Sequence, residues 1–368
     1  MTRVALVHDW LTGLRGGERV LEQICLLYPE ADIFTLVHVP GSCGPIIERH
    51  RIVTSFLDRL PREQYRRYLP LFPLAVERFD LRAYGLVVST SHAVAKGCRP
   101  APGALHVAYI HTPMRYVWDQ FDAYFGPGRA GLATRLAAHL VAPFLRGWDV
   151  RSTARAHGLV ANSNFVGDRI RRYWHREPSA VVYPPVDTSR FVPSAEGPDD
   201  YALIVSALVP YKLVELAVEA FTSLRRPLIV AGDGPSRASL QAIAGPTVRF
   251  LGSVPHDELP RLYSRAKFFV LPGAEDFGIA PVEAQAAGRP VLALGRGGAL
   301  ETVVEHETGV FFKEPSVESL IDGVAAIDKL QADPQRIRAH ARRFDTARFG
   351  PELQAAIERV SSDNKRNR

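Results

Sequence analysis

A chain of 368 residues has room for two domains of ordinary size. Hydrophobic residues make up 46% and charged residues 23%, with a mean hydropathy of −0.04, which excludes a largely disordered chain. No run approaches ~18 uncharged apolar residues, so no membrane-spanning helix is expected. The three cysteines (Cys25, Cys43, Cys98) form no C-x-x-C pair and cannot make a disulfide framework, which points to a reducing compartment. The net charge of +6 is unevenly spread. Residues 1–185 hold 23 lysines and arginines against 15 acids, a net +8, whereas residues 186–368 hold 22 against 24, a net −2. The first half is therefore a candidate to meet a phosphorylated substrate, an anionic membrane or a nucleic acid, unless the excess is plain surface decoration.

Met-Thr-Arg leads directly into the apolar run Val4–Val7, which is too short for a signal-peptide core and reads as a buried strand. A polar, glycine-bearing turn follows from His8 to Gly17. A helical pattern then covers Glu18–Leu27, with Val20, Leu21, Ile24 and Leu27 on one face. Leu86–Val88, His106–Ile110 and Leu159–Ala161 read as further buried strands. Strands interleaved with helices imply a parallel sheet, whose ligands lie at the carboxyl ends of its strands. Tyr183-Pro184-Pro185 breaks the pattern and stiffens a linker. A second alternation begins beyond it. Its strands are Tyr201–Ala207, Pro227–Ala231, Val248–Leu251, Phe268–Leu271 and Val291–Leu294. Its helices are Leu213–Leu224, Arg237–Ala244, Asp257–Ala266 (with Asp257 as N-cap) and Pro281–Ala287. Phe344–Val360 has the length and spacing of one more helix. The tail from Ser361 to Arg368 reads as frayed. Two such halves predict a cleft holding the chemistry.

The most informative segment is Glu275-Asp276-Phe277-Gly278-Ile279-Ala280-Pro281-Val282-Glu283. It follows a strand and opens a helix. Glycine permits the tight turn, and the amides from Gly278 to Ala280 face outward at a helix N-terminus, suited to phosphate oxygens. Two carboxylates flank that turn and can accept sugar hydroxyls. Glu283 alone would also fit as a first-turn charge complementing the helix dipole.

This stretch, with Ala287–Val291 after it, resembles the E-x7-E signature of retaining glycosyltransferases of family 4. Ser206–Lys212, Ala231–Pro235, Phe250–Val254, Gly297–Glu301 and Thr308-Gly309 resemble the family's other donor-side segments, in the family's order. His8–Gly13, Gly16–Glu18 and Tyr109–Asp119 resemble a subgroup of mannosyltransferases that build lipid-linked surface polysaccharides. The resemblance implies an α/β GT-B fold, in which two Rossmann-like doubly wound parallel-sheet domains face each other across a cleft. Residues 1–185 would bind the acceptor and 186–345 the nucleotide-sugar donor. Residues 346–368 would form a helix crossing back to the first domain.

The same resemblance assigns roles by position. Glu275 would contact the donor sugar and Glu283 the ribose. The amides of Gly278 and Ile279, next to Phe277, would hold the diphosphate with Lys212. The backbone around Val254 would lie near the base. Gly16 and Gly17 would let their loop approach the donor, and His111 would contact its sugar. Glu18 and Arg115 would face the acceptor. Taken alone, Gly16-Gly17 also fits an ordinary tight turn, His111 a buried histidine bonded to backbone, and Arg115 a surface charge. The chain departs from the family at Ala207, where an arginine usually shares the diphosphate charge. Arg15, Arg19 or Arg296 could substitute, or Lys212 could suffice.

The implied reaction transfers a sugar, with mannose from GDP-mannose as the leading donor, to a lipid-linked or polysaccharide-precursor acceptor with retention. No cofactor or obligatory metal is expected, since Asp9 and Asp119 stand as single carboxylates without a D-x-D triplet. Nucleic acid is not an expected partner. A cytoplasmic place is implied, peripheral at the inner membrane face. Leu57–Leu69 and Leu132–Trp148 could lie on anionic headgroups, or pack their apolar faces on their own sheet. Alternatives are a silent GT-B subunit binding a partner or glycan, a nucleotide-sugar epimerase or hydrolase, and, more remotely, a dinucleotide oxidoreductase lacking a full G-x-G-x-x-G.

Overall fold

The computed structural model describes residues 2–126 and 131–366. They form two compact units. One comprises the chain up to Pro185 together with the segment from Phe349 onward; the other is Val186–Arg348.

In the first unit, seven strands among the described residues make one parallel sheet: β1 (Val4–His8), β2 (Asp32–Thr35), β3 (Ile52–Thr54), β4 (Leu86–Ser91), β5 (Leu105–Ile110), β6 (Gly158–Ala161) and β7 (Ala180–Val181). Their order is β3-β2-β1-β4-β5-β6-β7, so the chain winds outward from β1 and then returns to place β4 beside it. β1, β5 and β6 and the first half of β4 read as largely apolar runs because helices cover both faces of the sheet. The first helix, Gly16–Leu27, turns Val20, Leu21, Ile24 and Cys25 inward. The helix Thr346–Arg366 contributes Phe349, Leu353, Ile357 and Val360 to the apolar cluster that holds Leu6, Val107 and Tyr109. Ser361–Arg366 continues this helix, so the fraying expected there is not seen; Asn367 and Arg368 lie outside the described residues. Among the described residues no helix is long and apolar enough to cross a membrane.

The second unit repeats the plan. Its strands are β8 (Ala202–Val205), β9 (Leu228–Ala231), β10 (Val248–Gly252), β11 (Phe268–Leu271), β12 (Val291–Leu294) and β13 (Gly309–Phe312), ordered β10-β9-β8-β11-β12-β13 and all parallel. Two parallel, doubly wound α/β units of this kind are the GT-B fold. The helix read as Asp257–Ala266 in fact starts at Leu259 with Glu258 at its cap, and no side chain caps it. Pro260 sits in its first turn, where a missing N–H costs nothing. That fixes the start two residues later than the Asp257 signal suggested.

A buried ionic network pins the long helix Leu132–Ser152 of the first unit. Lys96 and Asp149 are both 0% exposed, with Lys96 Nζ 2.7 Å from Asp149 Oδ1. Lys96 also donates to Ser152 Oγ at 3.0 Å. Trp118 and Trp174 donate their indole N–H groups to Asp149 Oδ2 at 2.8 and 2.7 Å. The pair is thus hydrogen-bonded on both sides, the condition under which a buried charge is tolerated.

Candidate active site

In each unit the strand order reverses between two central strands, and such a reversal opens a crevice at the strands' carboxyl ends. In the second unit the reversal lies between β8 and β11. The loop after β8 carries Ala207 and Lys212, and the loop after β11 carries Glu275. Lys212 Nζ and Glu275 Oε1 form an ion pair there, with side chains 15% and 14% exposed. Gly278 adopts φ +88°, a left-handed conformation that costs other residues strain, and caps the helix Ile279–Ala286. A Cβ on Gly297 or Gly298 would lie 2.5 Å from the backbone of Glu275 or Phe277. Those glycines therefore let two loops close on each other, and Gly298 N–H donates to Glu275 O at 2.8 Å. Glu283, one turn into the helix, accepts a 2.7 Å hydrogen bond from Tyr263, whose ring is fully buried. Phe277 is 3% exposed and sets its ring against Phe344 at 5.4 Å. A ligand contact from Phe277 is thus a backbone contact. Val254 is half-buried in the loop after β10.

The first unit reverses between β1 and β4. The ends of β1, β4 and β5 bring together His8, Asp9, His92 and His111. Asp9 is fully buried. Its carboxylate accepts four backbone N–H bonds, from His92, Ala93, Val94 and Ala95, at 2.7–2.9 Å. Burial works to raise its pKa, but His92, His8 and those amides outweigh it and hold Asp9 below the ordinary carboxylate range. His8 Nδ1 shares a 2.6 Å hydrogen bond with Thr90 Oγ1. Its Nε2 lies 3.7 Å from Glu18 Oε1. Glu18 is 4% exposed and accepts a 3.0 Å bond from the Arg15 N–H at the helix start. Burial opposes its ionisation, but His8 beside it outweighs that and depresses its pKa. Burial, with His92 and His8 next to it, pushes His111 down to about 3. His111 is therefore a neutral imidazole at physiological pH. Its Nε2 is buried without a hydrogen-bond partner. A Cβ on Gly17 would stand 3.7 Å from both His111 Nε2 and His8 Cε1, so the first turn of the helix, where Gly16 and Gly17 lie rather than in the loop expected before it, packs over the two rings at Gly17.

The sequence-predicted residues therefore gather in two places. Lys212, Glu275, Phe277, Gly278, Ile279, Glu283 and Val254 lie at the carboxyl edge of the second sheet. Gly16, Gly17, Glu18 and His111 lie at that of the first. Arg115, in the loop after β5, is partly buried and near enough to His92 to disfavour a proton on it. Of the cations considered for the gap at Ala207, Arg296 belongs to the second unit and pairs with Glu314 at 2.9 Å, while Arg15 and Arg19 flank the start of the first helix. Sequence reading missed His92, whose ring stands edge-on to Trp10 at 4.3 Å and whose Nδ1 is 3.2 Å from Asp9. Its signal was the Ser-His step directly after β4. Tyr263 was missed too, because nothing in sequence ties it to Glu283, 20 residues away. Among the described residues no group of three or more histidines, cysteines or carboxylates is placed to hold a metal ion.

Two family models match the chain in succession. "Glycosyltransferase Family 4" covers residues 14–190, and "Glycosyl transferases group 1" covers 186–344. The chain belongs to glycosyltransferase family 4. A GDP-mannose-dependent alpha-(1-6)-phosphatidylinositol monomannoside mannosyltransferase of Mycolicibacterium smegmatis is 32% identical over 232 residues, 52% of this chain and 60% of that protein. The enzyme of the same name from Mycobacterium tuberculosis is 37% identical over 173 residues, 39% of this chain and 45% of its own length. The match thus spans about half the length of these two relatives. A GDP-mannose-dependent alpha-mannosyltransferase of M. smegmatis is 29% identical over 316 residues, 80% of this chain and 79% of the relative. Among solved structures, a sucrose-phosphate synthase from Thermosynechococcus elongatus superposes with a TM-score of 0.68 at 19% identity, over 100% of this chain and 99% of that one. HepE from Anabaena, solved with UDP-glucose, gives 0.67 at 18%, over 98% and 99%. Both share the GT-B fold.

Proposed function

We propose that this family 4 chain is a retaining glycosyltransferase moving mannose from GDP-mannose to a lipid-linked or polysaccharide-precursor acceptor, with an anionic membrane surface as its place of work. The observation that carries the reading is the meeting of Lys212 and Glu275 at the β8/β11 reversal, beside the helix that opens at Gly278. An ammonium, outward amides and a sugar-binding carboxylate in one place suit a sugar joined to a diphosphate. The choice of GDP-mannose is supported by the names of the mannosyltransferase relatives.

In this reading the diphosphate takes over Lys212, and Glu275 turns from the ammonium to the sugar hydroxyls. The amides of Gly278 and Ile279 take phosphate oxygens, and Glu283, steadied by Tyr263, takes the ribose. Val254 lies by the base. His111, neutral, offers a hydrogen bond to the sugar without adding a charge that would compete for the phosphates. Gly16 and Gly17 leave room for the donor, while Glu18 and Arg115 lie on the acceptor side. The diphosphate is a good leaving group, so the enzyme's task is to position two substrates and neutralise the charge that develops. The acceptor attacks from the leaving-group face and passes its proton to the departing phosphate oxygen, which retains configuration. No cofactor enters this scheme.

A thermal-shift comparison of GDP-mannose, GDP, UDP-glucose and UDP tests the donor. A ligand at 100 times its dissociation constant stabilises by ~2.7 kcal/mol. The reading expects the guanine nucleotides to do so and Lys212→Ala to abolish the shift. A uridine nucleotide alone stabilising the protein would overturn the choice of donor. Free mannose accumulating in place of a glycosylated acceptor would move the assignment to a hydrolase.

A further inference from the structure

The helix Leu132–Ser152 is anchored along its C-terminal half and, among the described residues, leaves one face of its first three turns uncovered. Leu145, Trp148, Asp149 and Ser152 are buried. Toward the other end, Leu132 is 69% exposed, Leu136 57%, Leu140 81% and Phe144 57%. A spacing of four puts these side chains in a single stripe, roughly 18 Å long from first to last. An exposed apolar row of this size on a globular protein marks a place where something binds.

Charge indicates what binds. From residue 131 to 148 the sequence contains no aspartate or glutamate, but it does contain Arg135 and Arg146. The neighbouring 3₁₀ stretch, Arg62–Leu71, exposes Arg66 and Arg67. Both elements pack on one apolar cluster, which takes Tyr65, Tyr68 and Leu69 from the 3₁₀ stretch and Val141, Leu145 and Trp148 from the long helix. In the short helix Phe121–Phe125, Phe121 packs on His139 of the long helix at 4.9 Å, and Tyr124 feels the positive charges of Arg115 and Arg66. A second copy of this chain would set cations against cations, whereas a bilayer of anionic lipid offers both an apolar layer for the leucines and phosphates for the arginines.

We infer that the Leu132–Phe144 stripe, flanked by Arg66 and Arg67, docks the protein on an anionic lipid bilayer. The helix lies in the plane of the interface, its stripe in the acyl boundary, with the exposed Arg66 and Arg67 at headgroup level. This deepens the reading above and rests on it for its purpose: a lipid-linked acceptor is reached by an enzyme that sits on the surface holding it.

Flotation with phosphatidylcholine vesicles, with and without phosphatidylglycerol, tests the surface directly. The wild-type chain should float with the phosphatidylglycerol vesicles at low salt and lose most of that binding at high salt. L136S/L140S should weaken partitioning by more than ~tenfold. R66Q/R67Q should weaken it by roughly fivefold per arginine. Thermal melting should not change in either variant, because all four side chains are exposed. Failure of the wild type to float, or flotation of either variant equal to that of the wild type, would overturn the assignment. So would sedimentation showing a vesicle-free dimer that L136S/L140S converts to monomer, since the stripe would then belong to a second copy. Binding of GDP-mannose, read separately by thermal shift, keeps the two claims apart. A chain that floats as expected but binds no nucleotide sugar upholds the docking surface and overturns the transferase reading.

Discussion

Replacing Lys96 with methionine tests the buried network that fixes the long helix and the Trp118 loop. Lys96→Met keeps the length and apolar stem of the side chain but leaves Asp149 buried at 0% exposure without its cation. Breaking one side of a buried pair costs ~3–5 kcal/mol. The two indole N–H donors at 2.7 and 2.8 Å still solvate Asp149 Oδ2, which favours the lower end, ~3 kcal/mol. At ~2–4 °C per kcal/mol for a unit of this size, the melting temperature should fall by roughly 6–12 °C. Adding Asp149→Asn removes the stranded charge while keeping an oxygen for the indoles, so the double variant should recover more than half of the loss. All four tryptophans (Trp10, Trp118, Trp148, Trp174) precede Pro185, so urea unfolding followed by their fluorescence reads the first unit selectively. The midpoint is the quantity to compare, because Lys96 lies within 5.0 Å of the Trp148 and Trp174 rings and its loss will alter the amplitude. A cost for Lys96→Met below ~1 kcal/mol, or a double variant no more stable than the single one, would refute the reasoning.

Acid should destabilise the first unit before carboxylates titrate. Burial pushes His106 to about 4 and His111 to about 3, from an unfolded value near 6.5. Both stay neutral when folded, while the unfolded chain takes up protons below pH ~6.5. Stability is therefore complete above that value and is lost as pH falls, by roughly 1.4 kcal/mol per histidine at pH ~5.5. Asp9 and Glu18, both depressed, add losses of the same sign at lower pH. Equal urea midpoints at neutral pH and at pH ~5.5 would contradict this. Lys212→Ala should lower mannosyl transfer by ~10²–10³, with Lys212→Arg intermediate, in a radiolabel assay. A tenfold or smaller loss would mean that another cation carries the diphosphate. Tyr263→Phe removes one hydrogen bond to Glu283 and should raise the donor KM several-fold while leaving kcat near wild type. A fall in kcat with KM unchanged would place Glu283 away from the ribose.

The loops of the second unit were legible in sequence because each follows a strand that reads as an apolar run, and the one after β11 carries a glycine, Gly278, whose geometry is demanded locally. The strand order was not legible. Nothing in the runs Val4–Val7 and Leu86–Val88 says that they become neighbours, yet that pairing creates the crevice where His8, Asp9 and His92 meet. β2 and β3 went unread because Asp32-Ile33-Phe34-Thr35 and Ile52-Val53-Thr54 hold only two adjacent apolar residues each, too few to stand out as an apolar run. Lys96 reads as a surface lysine in sequence and is fully buried, because its acid partner lies 53 positions away on another element. Leu132–Trp148 shows one apolar pattern throughout. Only tertiary packing separates the part that joins the core at Leu145 and Trp148 from the part that faces outward at Leu132, Leu136 and Leu140.

The most direct test of the central claim is to incubate the full chain with GDP-mannose labelled in the sugar and a polyprenyl-diphosphate-linked saccharide in anionic vesicles, then determine the linkage of the product by NMR. The account predicts label in the lipid fraction as an α-mannoside, release of GDP in equal amount, and loss of both in Lys212→Ala. A β-linked product, label remaining in free mannose, or transfer that persists in Lys212→Ala would contradict it.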